Sequence, residues 1–168
     1  MSGYAEVAAF ELPTVAASDG GVDDVALVAD GDVTYVRGTE RTTLRVDGEP
    51  VDVAVGDLVY VLTPDALLAL APGNGGSRVW SLDLADAGVE GVAALPEADV
   101  VCVLTERNLV GVDGERGSRR WTVDRPYADV GGDVSFVAAD GRFTLGAWSF
   151  VTGIDGDGES AFDADLGR

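Results

Sequence analysis

A single period governs this chain. Asp57-Leu-Val-Tyr-Val-Leu-Thr63 returns as Asp99-Val-Val-Cys-Val-Leu-Thr105, 42 positions later. Ala66-Leu-Leu-Ala-Leu-Ala-Pro-Gly73 returns as Asn108-Leu-Val-Gly-Val-Asp-Gly114 and again as Phe150-Val-Thr-Gly-Ile-Asp-Gly156. An aromatic residue then follows each copy, at Trp80, Trp121 and Phe162, 41 positions apart. Landmarks that recur in one order with one spacing mean one supersecondary unit used several times, each burying its faces against its neighbours.

Each unit reads as four short strands. The second unit has them at 51–55, 58–62, 67–71 and 78–84, the third at 89–94, 100–104, 109–113 and 119–124. The fourth has them at 134–138, 143–149, 151–155 and 160–165. Gly73-Asn74-Gly75-Gly76, Asp113-Gly114-Glu115-Arg116-Gly117 and Asp155-Gly156-Asp157-Gly158 supply hairpin turns, since Gly takes positive φ and Asp or Asn bonds its own turn. No stretch carries a sustained 3.6-residue period; a single helical turn is expected over Leu82 to Val89. Four antiparallel strands in 40–45 residues make a blade, so the expected fold is an all-β β-propeller of about four blades. Near-continuous apolar runs fit strands buried on both faces. The boundaries read as a degenerate first blade over 1–49 and repeat blades over 50–84, 85–125 and 126–168. In the first, Asp32-Val-Thr-Tyr-Val-Arg-Gly38 echoes Asp57–Thr63 at an offset of only 25. Thr42 to Val55 has room for two strands, so this blade is short of strands or takes one from Ala5–Leu12. Three assemblies follow: a small closed ring, an open arc completed by a second copy as a homodimer, or part of a longer propeller.

The unit 57–80, with its apolar strand, Gly-rich turn and Trp80, resembles the PQQ-type propeller repeat. So does the third unit, with Asp113-Gly-Glu-Arg-Gly117 before Trp121; the fourth keeps the spacing with Phe162 in place of Trp. The resemblance covers about residues 50–165. It implies a scaffold used by quinoprotein dehydrogenases and by non-enzymatic propellers alike, WD40-like in architecture, and names no activity. Quinoprotein enzymes resemble larger exported rings with a cofactor and calcium at the axis, some with a vicinal disulfide. This chain has too few blades, one cysteine and no basic flank before Phe10, so no cofactor is expected.

Charge narrows the setting. The chain has 168 residues with 30 Asp and Glu against 11 basic residues, all Arg, a formal net charge of −19. Self-repulsion of that size opposes a compact state in dilute buffer and is screened at molar salt, where the Debye length falls to roughly 3 Å. An Asp-rich chain without Lys resembles the cytoplasmic proteins of salt-in halophilic archaea. The sign disfavours nucleic acid, and no run is long and apolar enough for a membrane helix. There is no His, so Cys–His and Ser–His–Asp nucleophiles and His-ligated zinc are excluded. Cys102 has no disulfide partner and sits in an apolar run, as a buried free thiol does in a reducing cytoplasm.

Two clusters remain. Arg107, Arg116, Arg119, Arg120 and Arg125 gather five of the eleven basic residues within nineteen positions. Arg forks suit carboxylates and phosphates, so these are candidates for docking a protein partner, unless acids of neighbouring blades take them. Asp155, Asp157 and Glu159 alternate as oxygen ligands of a cation do, but the EF-hand pattern fails at Ser160 and Leu166. The reading that follows is a non-enzymatic interaction or scaffold module of a high-salt cytoplasm. The alternative is a propeller that binds calcium or a small molecule, with or without catalysis.

Overall fold

A computed structural model describes residues 15–20, 24–129 and 133–167, with side chains from 24 onward. They form four antiparallel sheets of four strands, each built in chain order. The first blade is β1 (Val15–Gly20), β2 (Asp24–Ala29), β3 (Asp32–Arg37) and β4 (Glu40–Leu44). The second is β5 (Asp52–Val55), β6 (Val59–Leu62), β7 (Ala66–Ala71) and β8 (Ser77–Asp83). The third is β9 (Val89–Leu95), β10 (Val100–Thr105), β11 (Asn108–Asp113) and β12 (Arg119–Asp124). The fourth is β13 (Val134–Ala139), β14 (Arg142–Ala147), β15 (Phe150–Asp155) and β16 (Ser160–Asp165). The leading strands of successive blades lie side by side, β1 on β5, β5 on β9 and β9 on β13.

Three apolar layers between the four blades explain the apolar runs. Every residue of β6 is buried. Val59 and Val61 point toward Val28, Val33 and Leu44 of the first blade, while Tyr60 and Leu62 point toward Val101 and Val103 of the third. In β10, Val100, Cys102 and Leu104 face the other way, onto Phe143 and Leu145 of the fourth blade. Each such aliphatic side chain contributes about 1.5–3 kcal/mol when taken from water. The outermost strands β8 and β12 alternate partly buried and exposed residues instead.

The repeating aromatics lock one blade to the next. The Trp80 indole packs against Gly117, in the β11–β12 turn of the third blade, and its Nε1 donates to Gly114 O at 2.9 Å. Trp121 repeats this one blade on, packing on Gly158 and donating from Nε1 to Gly156 O at 2.8 Å. Both glycines have positive φ, +71° and +83°, so a side chain there would strain the backbone as well as strike the ring. Trp80→Phe keeps the ring and removes the donor. It should cost about 1 kcal/mol, read as a lower denaturation midpoint at unchanged m-value.

Two expectations are corrected. The first blade has a full set of four strands, and Ala5–Leu12 lies outside the described residues. Asp32–Arg37 is its third strand, the counterpart of β7 and not of the segment from Asp57. Compact turns misled the alignment: Asp30-Gly31, with φ of 52° and 83°, and Gly38-Thr39 each join strands through two residues. The stretch from Leu82 to Val89 is the end of β8 and a turn closed by Ala87 N donating to Leu84 O at 3.0 Å, with no helix. Short 3-10 turns occur instead at Pro72–Asn74 and Pro96–Ala98.

Candidate functional site

The chemistry-bearing side chains sit at the two ends of the third blade. At one end the β9–β10 and β11–β12 turns meet. Arg120, at the start of β12, reaches across them: Nη2 donates to Asp113 Oδ2 at 2.9 Å and to Asp99 Oδ2 at 3.4 Å, and Nη1 donates to Ala98 O at 3.0 Å. Asp113 Oδ1 accepts the Arg116 amide at 2.9 Å, which shapes the turn and leaves the Arg116 and Glu115 side chains exposed. The Arg119 side chain turns away from this end: its Nη2 is 3.5 Å from Asp83 O of the second blade, and it lines a pocket of about 380 Å³ with Glu106 and Arg107. The hydrogen bond from Arg120 holds the Asp113 carboxyl below its usual range. Asp99 moves up, through burial first and then through the charges of Asp113 and Glu115.

Tyr60 belongs to this end, although its sequence context marks it only as core. Its hydroxyl faces Gly114 O at 3.4 Å and its ring lies 5.9 Å from that of Trp80. Alignment of the repeats carries the one signal that could have found it: Tyr60 stands where the third unit has Cys102, so an aromatic hydroxyl occupies a position otherwise small. Burial, then the carboxylates of Asp99, Asp57, Asp113 and Glu115, push its phenol up to about 12. The folded value lies above the ordinary tyrosine value of 10.0. Stability from the neutral phenol is therefore intact below pH 10 and is lost as pH rises through about 12. A spectrophotometric titration should show a tyrosine ionising near pH 12 together with alkaline unfolding, and Tyr60→Phe should remove that step.

The other end of the blade holds Arg107 and Arg125, joined by Arg125 N donating to Arg107 O at 2.8 Å. The Arg125 side chain is 8% exposed and pairs with Glu90 at 2.8 Å; it also donates to Thr105 O. Asp52 clips the second blade to the third, Oδ2 accepting Val92 N at 2.9 Å. These groups line an open polar basin of about 770 Å³ together with Glu106 and Phe136. Arg116 and Arg120 therefore belong to the β11–β12 turn and Arg107 and Arg125 to the opposite end of β12, while Arg119 shares a pocket with Arg107. Arg120 and Arg125 are tied into the fold, while the side chains of Arg107, Arg116 and Arg119 reach solvent.

Asp155, Asp157 and Glu159 form the β15–β16 turn. Asp155 Oδ1 accepts the amides of Asp157 at 3.0 Å and Glu159 at 2.9 Å. Among the described residues, no group of three or more carboxylates or thiols is arranged to hold a metal ion. Cys102 is fully buried against the fourth blade, and burial pushes its thiol well up, so it packs as an apolar side chain. No helix among the described residues is long and apolar enough to cross a membrane.

No protein-family model matches the chain, and no curated protein matches it. Solved structures do. BamB from Moraxella catarrhalis superposes with a TM-score of 0.62 at 15% identity, over 91% of this chain and 54% of that one. Apo AztD from Citrobacter koseri gives 0.66 at 15% identity, over 92% and 48%. A second Citrobacter koseri AztD structure gives 0.64 at 16%, over 90% and 47%. The fold is a β-propeller. This chain spans about half the length of those propellers, and the likeness is one of fold alone.

Proposed function

We propose that the chain is a non-enzymatic β-propeller interaction module, built from PQQ-like repeats and working as a scaffold in the high-salt cytoplasm of a halophilic archaeon. Its partner is a protein that presents acidic groups to the β11–β12 end of the third blade. The observation that carries this reading is how the turn there is made. Asp113, Asp99 and Arg120 are consumed in bracing it, and the brace holds Arg116 out to solvent on a rigid frame, with exposed Arg119, three residues on, turned toward the second blade. Turns on rigid scaffolds are where binding residues concentrate, and Arg forks match carboxylates bidentately. The charge of −19 supports the setting, because screening at molar salt removes most of the self-repulsion.

The test uses Arg116→Ser with Arg119→Ser and leaves the structural Arg120 alone. The tagged chain is used to capture proteins from a cell extract in molar KCl, and the captured protein is purified and titrated against both forms. The double variant should bind at least tenfold more weakly with an unchanged melting temperature. Equal binding by the two forms, or no protein captured by either, overturns the assignment.

A further inference from the structure

The blades pack in series and stop. β13 and β1 are not packed on each other as β1 is on β5, β5 on β9 and β9 on β13, so the described residues form an arc with two end faces. On the free face of the fourth blade, Val137 is 54% exposed and Phe162 36% exposed. Half-buried Val151 and Thr144 lie between them. The free face of the first blade carries Val25, Leu27 and Val36, all half-buried, beside Thr34. We propose that these faces meet between two copies: the fourth blade of each chain packs on the first blade of the other, closing one eight-bladed ring.

The aromatic seats argue for this pairing. Phe162 lies over Gly153 as Trp121 lies over Gly111, one blade further on. Trp121 has a following turn to enter, with a glycine for its ring and a carbonyl for its N–H. Phe162 has none among the described residues of its own chain. It also lacks an N–H, and the β3–β4 turn that would receive it in the first blade of a second copy is the two-residue Gly38-Thr39, with no longer Gly-rich loop to offer a carbonyl. A residue with no donor is thus matched to a blade whose short turn has no long Gly-rich loop to receive one. The arc also has the curvature of half a longer ring, since it superposes on about half of each of the solved propellers. A two-fold pair of such arcs makes the same junction twice and closes, leaving no free face.

Light scattering of the 168-residue chain in molar KCl tests this. The ring predicts a mass of twice 17.3 kDa; a mass of 17.3 kDa, or an open series of larger species, overturns it. Phe162→Asp and Val36→Asp should each return the mass to one chain while keeping the far-ultraviolet strand signal. If Val36→Asp unfolds, Thr43→Arg replaces it, since Thr43 is exposed on β4 directly opposite Thr34. Mixing the two variants is decisive. In the ring each mixed pair keeps one intact junction, so a species of two chains reappears. If the variant on the first blade stays dimeric, or mixing restores nothing, the two blades do not face each other and the proposal fails.

Discussion

Gly111→Ala destabilises the chain by about 3 kcal/mol, the low end of the cost of losing a large aromatic, because Trp121 is partly buried. Gly111 sits in the middle of β11, paired with Trp121 on β12, and a Cβ at this position would overlap the indole atoms Cε2 and Cδ2. The backbone of β11 is held on both sides by ladder hydrogen bonds, so the ring must leave. When it leaves, its Nε1 bond to Gly156 O and its packing on Phe143 at 6.2 Å between centroids go with it, and the third and fourth blades separate along their outer edge. In a domain of this size the melting temperature should fall by roughly 10 °C or more. Gly153→Ala creates the same overlap with Phe162, but Phe162 is 36% exposed and no following turn of its own chain holds it. It can swing aside, and for the single chain, as in the Val36→Asp background, the cost should be about 1 kcal/mol. Equal losses for the two substitutions would mean that the seat in the next blade contributes nothing.

Arg120→Ala is the second large effect, about 2 kcal/mol near neutral pH, and it carries a pH signature. Removing the guanidinium leaves Asp113, whose side chain is 12% exposed, beside Asp99 and Glu115 with no cation between them. Asp113 is held below the ordinary aspartate value of 3.8 by Arg120. The stability it supplies is therefore present above pH 3.8 and lost as pH falls through its lower folded value. Asp99 is shifted the other way, so its protonation favours the folded state on acidification and works against that loss. The gap in melting temperature between wild type and Arg120→Ala should be widest near pH 7 and shrink steadily below pH 3.8. A gap that persists at pH 2 would show that Arg120 acts through packing on the turn and not through charge.

Much of this fold is legible in the sequence because each unit repeats its own punctuation. Gly-rich turns followed by an aromatic placed β7, β8, β11, β12, β15 and β16 within a residue or two. The aromatics at Trp80 and Trp121 fill gaps between blades, as their position just after the turns indicates. The first blade is harder to read because its turns are short: without the long Gly-rich loop, Asp32–Arg37 looks like any apolar strand, and pattern alone matches it to the wrong partner. The arginine cluster is less compact in space than along the chain, for a different reason. Nineteen positions on the chain include a full strand, and a strand carries its two ends far apart while returning every second residue to one face. Linear closeness therefore merges Arg116 and Arg120 at the β11–β12 turn with Arg107 and Arg125 at the other end of β12, while the Arg119 side chain turns toward Arg107. The bracing roles of Arg120 and Tyr60 depend on which turns of neighbouring strands and blades meet, and no spacing within one unit encodes that.

The most direct test of the central claim is hydrogen exchange along the chain in molar KCl, with and without the captured protein. A docking module predicts slowed exchange in the β11–β12 turn around Arg116 and at its blade end, with unchanged rates in the buried strands β6 and β10. Unaltered exchange in that turn, with protection appearing elsewhere or nowhere, would contradict it.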